Sequence, residues 1–240
     1  MNPALSIVIP VYNEPDNIGP TLRRITDEVA TPHEILVVFD FDADTTVPGV
    51  KSLQEALPAV RLHRNDIGRG VLNAMRAGMQ GSTAPLVLIT MADGSDEMDR
   101  VDDMVKLGQN GAAVVAGSRY MKGGRQIGGP ALKRTLSRAA GLSLHWLAGV
   151  PIHDATNNFK LYRRDFLDSV TIESTGGFEL AIELTAKAAR EGLPMAEVPT
   201  TWRDRTAGES NFKLRAWLPK YLRWYFHAFR GRFPGAAPAR

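Results

Sequence analysis

The chain has 240 residues and no cysteine, with 44% hydrophobic and 23% charged residues, a balance that fits one ordinary globular domain and excludes collagen-like or disordered chains. Without cysteine there is no disulfide framework, thiolate zinc site or cysteine nucleophile, so a cytoplasmic setting is the expectation. The formal charge of +3 is unevenly spread: residues 1–209 carry all 26 acids against 22 basic residues, a balance of −4, whereas 210–240 hold seven basic residues, no acid and eight of the 18 aromatics.

Met1 to Ser6 has no basic n-region and runs straight into Ile7-Val8-Ile9, which reads as a strand and not as a secretory signal. No apolar stretch reaches membrane-spanning length. Residues 5–11 predict a strand, closed by Tyr12-Asn13-Glu14-Pro15-Asp16, and Ile18 to Val29 has helical spacing. The alternation continues: strand Glu34 to Phe39, helix Val50 to Leu57, strand Val60 to His63, helix Ile67 to Met79, strand Leu86 to Thr90, helix Asp96 to Gly108, strand Ala112 to Ala116. Helix and strand alternating without hairpin signals predict a mostly parallel central sheet flanked by helices, with its ligand edge at the carboxyl ends of the strands. A polar, glycine-rich loop (Met121 to Gly129), a helix over 131–148 and a loop over 149–158 follow. Phe178 to Arg190 then reads as a helix and Met195 to Trp202 as a strand.

Acids collect where the strands end: Glu14, then Asp40, Asp42 and Asp44, then Asp66, then Asp93 and Asp96. Such an edge repels a bare diphosphate, so either a hard divalent cation bridges the two or the carboxylates bind base and ribose hydroxyls. Polar loops and helix caps account for about half of these acids one by one, but less well for their clustering. The turn after the first strand holds no glycine, which excludes a dinucleotide-binding G-x-G-x-x-G, and a Walker phosphate loop is absent.

Ser6 to Glu14, Asp40 to Thr46, Asn65 to Gly70, Gly117-Ser-Arg-Tyr120 with Gly123-Gly124, Asp154 to Arg163 and Arg205 to Ser210 together resemble the dolichol- or polyprenyl-phosphate mannosyltransferase type of inverting GT-A glycosyltransferase, in order, over nearly the whole chain. The resemblance implies an α/β GT-A domain over residues 1–212. It also implies transfer of a hexose from GDP-mannose or a UDP-hexose to polyprenyl or dolichyl phosphate with inversion, and a divalent metal (Mg2+ or Mn2+). Pro10, Tyr12, Glu14, Asp40, Asp42, Asn65, Gly68 and Gly70 would form the donor pocket. Asp93 would hold the metal, with Asp96 as a second ligand. Met91-Ala-Asp-Gly-Ser-Asp96 departs from the family's usual Asp-x-Asp, since Ala92 stands where an acid is common; Asn157-Asn158 replaces serine-glycine, and Asn211 replaces a lysine for which Lys213 would substitute. Arg119, Arg134, Arg205, Ser210 and Lys213 would grip phosphate, a task suited to the guanidinium fork.

A polyprenyl phosphate oxygen is ionised at neutral pH and needs no general base, only alignment with the anomeric carbon and neutralisation of the leaving diphosphate. A hydroxyl acceptor would require a base, for which Asp154 is the candidate; a degenerate, non-catalytic nucleotide-binding module is the third reading. Leu214, Trp217, Leu218, Tyr221, Leu222, Tyr225 and Phe229 recur at three and four residues. With the surrounding basic residues they predict amphipathic interfacial helices over 213–233, split at Pro219. Residues 234–240 read as a disordered tail. The expected partners are a nucleotide sugar, a polyprenyl phosphate and the cytoplasmic face of a membrane, with no nucleic acid.

Overall fold

The computed structural model describes residues 2–204 and 214–229. Arg205, Ser210 and Lys213, expected at the phosphates, and the expected disordered tail over 234–240 lie outside the described residues. The chain forms β1 (Leu5–Pro10), α1 (Pro15–Glu28), β2 (His33–Phe39), α2 (Thr46–Leu53), β3 (Val60–Arg64), α3 (Val71–Gly81), β4 (Leu86–Ile89), α4 (Val101–Gln109) and β5 (Val114–Ser118). There follow β6 (Arg125–Ile127), α5 (Ala131–Ala148), β7 (Lys160–Arg163), α6 (Arg164–Ser169), α7 (Leu180–Arg190), β8 (Met195–Pro199), β9 (Thr201–Arg203) and α8 (Leu214–Phe229).

Seven strands make one sheet in the order β3-β2-β1-β4-β7-β5-β8, parallel except for β7, which runs antiparallel to both its neighbours. The winding from β1 goes through β2 to β3 on one side and resumes with β4 on the other, so the order reverses at β1 and β4, where ligand crevices form in open α/β sheets. The period of two in the apolar runs explains the layers. Ile7 and Ile9 of β1 point to one face and pack with Ile18, Leu22 and Ile25 of α1 and Met104 and Val105 of α4. Val8 points to the other, with Leu72, Met75 and Met79 of α3 and Leu180 and Leu184 of α7. A third cluster joins Leu144 of α5, Ile182 and Ala186 of α7, and Trp224 and Ala228 of α8.

Several elements differ from the sequence reading. β7 and α6 are unheralded, because Lys-Leu-Tyr-Arg is four residues with a cation at each end and has no alternation. The helix expected from Asp96 starts at Val101, since the Asp96 carboxylate accepts the Thr90 hydroxyl at 2.9 Å and is not its cap. The strand expected over 195–202 breaks at Thr200: β8 joins the large sheet and β9 pairs with β6. The helix expected to split at Pro219 runs unbroken from 214 to 229 with that proline in its second turn, and it is tied to the domain as well as amphipathic. Trp224 is buried beneath the Lys187 ammonium (4.9 Å from the ring) and the Arg223 guanidinium (4.7 Å), and Arg223 pairs with Glu173 at 3.0 Å.

Candidate active site

The loops after β1, β2 and β3 are bound together by side chains that the sequence offers as ligands. Asn13, at φ 52°, donates its backbone N–H to the buried Asp44 carboxylate (3.1 Å), which also accepts Thr46 N–H (2.8 Å). Glu14 accepts the Asn17 amide at 2.7 Å. Asp40 accepts Asn65 Nδ2 on one oxygen (2.6 Å) and Gly70 N–H on the other (2.7 Å), while Asn65 also donates to the Gly68 carbonyl (2.6 Å). Gly68 and Gly70 sit at φ 141° and 117°, values that favour glycine, and Gly70 opens α3. Asp40, Asn65, Gly68 and Gly70 thus meet as one loop clasp, with Asp40 shaping the wall. Asp42 does not join them: its carboxylate is 76% exposed and pairs with Arg64 at 2.9 Å. Pro10 is buried at the end of β1, while the exposed Tyr12 ring meets Phe41 edge-on at 5.8 Å, with Arg69 5.3 Å above the same Phe41 ring.

A cavity of about 820 Å³ opens beside the ends of β4, β5 and β7. Met91, Asp93, Ser95, Asp96 and Arg119 line one part; Leu136, Ala139, Ala140 and Ser143 of α5 and Leu218, Leu222 and Tyr225 of α8 line another. Asp93 accepts Ser95 N–H at 3.1 Å. Burial and the adjacent Asp93 carboxylate push Asp96 up to about 7. The Ser95 hydroxyl is buried without a hydrogen-bond partner among the described residues.

Arg119 follows β5 and is gripped from behind. Its Nε and one terminal nitrogen donate to Asp154 at 2.7 and 3.0 Å, and that nitrogen also donates to Ser137 and Thr156, each at 3.2 Å. Burial acts against both charges, but the pairing outweighs it: Asp154 is held below, and Arg119 above, its ordinary value. Asp154 is fully buried behind Arg119 and does not line the cavity, a placement that suits an anchor for Arg119. The Lys160 ammonium, itself fully buried, ties the same loop by donating to the carbonyls of Asp154 (2.9 Å) and Asn157 (2.5 Å). Burial pushes that amine down to about 7 against the pull of Asp154. His153 fastens the loop to β8 through Glu197, and Gly141 lets α5 approach it, since a Cβ there would lie 2.3 Å from the His153 carbonyl oxygen. Arg134 is exposed on α5 and lines the cavity.

Sequence reasoning missed Lys160 as a buried tie and Phe178, Trp202, Tyr221 and Tyr225 as lining. The aromatic density near the C-terminus was the available signal for the last two. Among the described residues no helix is long and apolar enough to cross a membrane, and no three His, Asp or Glu side chains converge as a complete metal cage.

Residues 6–171 match the family model Glycosyl transferase family 2. Polyprenol monophosphomannose synthase of Mycolicibacterium smegmatis is 30% identical, the match covering 96% of this chain and 89% of that protein. Undecaprenyl-phosphate mannosyltransferase of Micrococcus luteus is 29% identical over 85% of each chain. Among solved structures, glucosyl-3-phosphoglycerate synthase of Mycobacterium tuberculosis, in complex with Mn2+, UDP and glucosyl-3-phosphoglycerate, superposes with a TM-score of 0.67 at 16% identity, over 98% of this chain and 82% of that one. With the sheet reversal, the loop clasp and the cavity at the strand ends all found in a chain so matched, this protein belongs to Glycosyl transferase family 2 and is a glycosyltransferase of GT-A fold.

Proposed function

We propose that the enzyme moves a hexose from a nucleotide sugar to the phosphate of a polyprenyl phosphate, with inversion at the anomeric carbon. The observation that carries this reading is the lining of the 820 Å³ cavity, which passes from carboxylates and Arg119 to an apolar trough between α5 and α8. A polar reacting group joined to a long hydrocarbon matches that lining. Leu132, Leu136 and Leu147 on α5 and Leu218, Leu222 and Phe226 on α8 are exposed beside it, two apolar stripes that would rest at the surface of a membrane, on its cytoplasmic side. The two relatives named for polyprenol and for undecaprenyl phosphate agree with this acceptor class.

In this reading the clasp of Asp40, Asn65, Gly68 and Gly70, with Pro10, Tyr12 and Glu14, receives the nucleoside. Asp93 and Asp96 suit a divalent cation by their chemistry: two hard oxygen donors sit close enough to perturb one another, next to the Ser95 hydroxyl, which has no hydrogen-bond partner among the described residues. When bound, Mg2+ or Mn2+ would neutralise charge on the departing diphosphate. Arg119, held rigid by Asp154, Ser137 and Thr156, presents a positive edge to phosphate in the cavity, with Arg134 beside it. The acceptor phosphate oxygen, ionised at neutral pH, forms the new bond to the anomeric carbon. The bond from that carbon to the donor β-phosphate oxygen breaks, and its electron pair leaves with the nucleoside diphosphate.

The test is incubation of the purified protein with Mn2+ or Mg2+, short-chain polyprenyl phosphate and GDP-mannose, UDP-glucose or UDP-N-acetylglucosamine in turn. Mass spectrometry should reveal one glycosylated lipid phosphate. Nucleotide binding by calorimetry without any lipid product would refute the acceptor assignment.

A further inference from the structure

A second cavity, of about 670 Å³, lies against a neighbouring face of α5, closed on its other side by β6 and the turn after β5. Its described lining contains four arginines, Arg119, Arg125, Arg134 and Arg138, and no aspartate or glutamate. Of these, Arg119 is paired with Asp154, as several arginines elsewhere are paired with carboxylates: Arg24 with Glu28, Arg61 with Glu34, Arg64 with Asp42, Arg163 with Asp165. Arg125, Arg134 and Arg138 are exposed, and none has an ion-pair partner among the described residues. Arg134 and Arg138 stand one helical turn apart, a spacing at which like charges repel. The floor beneath them is fixed, because the Tyr120 hydroxyl contacts Gln126 (3.2 Å) and Ser137 (2.9 Å) and the Arg119 guanidinium lies 4.8 Å over the Tyr120 ring. Unrelieved cations around a formed cavity call for an anion with several oxygens, for which the guanidinium fork is suited.

We propose that this cavity, which adjoins the first and shares Arg119 and Arg134 with it, binds the phosphate of an anionic membrane phospholipid at Arg125 and Arg138, leaving the shared arginines to the acceptor; the proposal rests on the membrane-facing reading of α5 and α8. The surroundings favour a lipid over a free phosphate. Leu142 and the exposed Ile127 line the same cavity, and the exposed Leu132, Leu136, Trp146 and Leu147 occupy the same helix. A phosphate held by Arg125 and Arg138 with its acyl chains lying along these side chains places headgroup and hydrocarbon at the depths they have in a bilayer. Bound there, the lipid would pin α5 to the surface beside the acceptor trough.

The test is vesicle flotation of the full chain with phosphatidylcholine alone and with added phosphatidylglycerol. The protein would be wild type, the double variant Arg125→Gln/Arg138→Gln, and a control of equal charge, Arg24→Gln/Arg100→Gln. Each arginine near an anionic surface contributes about fivefold, so the double variant should lose on the order of 25-fold in affinity for the anionic vesicles. The control should stay within about twofold, because charge outside the site acts only through a screened field. Melting temperature and transfer to a short, soluble acceptor should not change in the double variant, whose altered residues lie outside the proposed catalytic groups. Equal losses in variant and control, no loss in either, or displacement from the vesicles by millimolar inorganic phosphate acting only when Arg125 and Arg138 are present would each overturn the lipid site. Failure of the wild type to bind any vesicle would instead remove the membrane reading beneath it, so the two failures are distinguishable.

Discussion

Replacing Asp154 by Asn removes one charge, while preserving shape, from a pair whose carboxylate is fully buried and whose guanidinium is 11% exposed, toward the cavity. The Arg119 guanidinium then faces a neutral amide: of the acceptors at 2.7 and 3.0 Å one remains as the Asn carbonyl oxygen and the other becomes an NH2 that cannot accept, beside the hydroxyls of Ser137 and Thr156 at 3.2 Å. Breaking a buried ion pair from one side costs about 3–5 kcal/mol, because it leaves an uncompensated charge. For a chain of this size, that lowers the melting temperature by on the order of 6–20 °C. Urea unfolding followed by tryptophan fluorescence measures the loss. Arg119→Met should cost a comparable amount, and the double variant clearly less than the sum of the two, since neither charge is then stranded. The pH dependence supplies an independent sign. Asp154 is held below its ordinary value of 3.8, so on acidification the unfolded chain binds this proton before the native one does. The pair's stabilisation is complete above about pH 4 and is lost as pH falls through the native pKa. Wild type should therefore show a steeper acid-side fall in stability than Asp154→Asn. A variant within about 1 kcal/mol of wild type at pH 7, with the same acid slope, would refute the reasoning.

Gly70→Ala isolates backbone strain, because no atom lies within 4 Å of the added methyl and φ is 117°; it should cost about 1–3 kcal/mol and weaken nucleotide binding in calorimetry. Trp224→Ala, which empties the seat between Lys187 and Arg223, should destabilise by about 3–5 kcal/mol, whereas Phe226→Ser on the exposed stripe should leave the melting curve in place and reduce vesicle binding. Asp93→Ala should retain the fold by circular dichroism and lose both transfer and the dependence of nucleotide binding on Mn2+; full activity in this variant would exclude the proposed metal ligand.

The layers of this fold were legible because the alternation of Ile7, Val8 and Ile9 assigns sheet faces directly, and because acids recur at the strand ends. The division of labour among those acids was not. Whether a carboxylate reaches ligand or backbone depends on what the fold brings up: Gly70 N–H, thirty residues away, takes one oxygen of Asp40, and Arg64 takes Asp42. Asp96 read as a second metal ligand at the start of a helix, but its burial and its bond from Thr90 come from packing that no local pattern encodes. Lys160 marks the same limit, since a lysine opening a four-residue strand reads as surface until two loop carbonyls converge on it. Trp224 has basic neighbours in sequence and yet is buried, because Lys187 of α7 covers its ring.

The most direct test of the acceptor assignment is a side-by-side transfer assay with polyprenyl phosphate and the unphosphorylated polyprenol of the same length, under one set of donor and metal conditions. The expected result is a hexose on the lipid phosphate, with inverted anomeric configuration by NMR, and none on the alcohol. Glycosylated polyprenol, or donor hydrolysis with neither lipid modified, would contradict it.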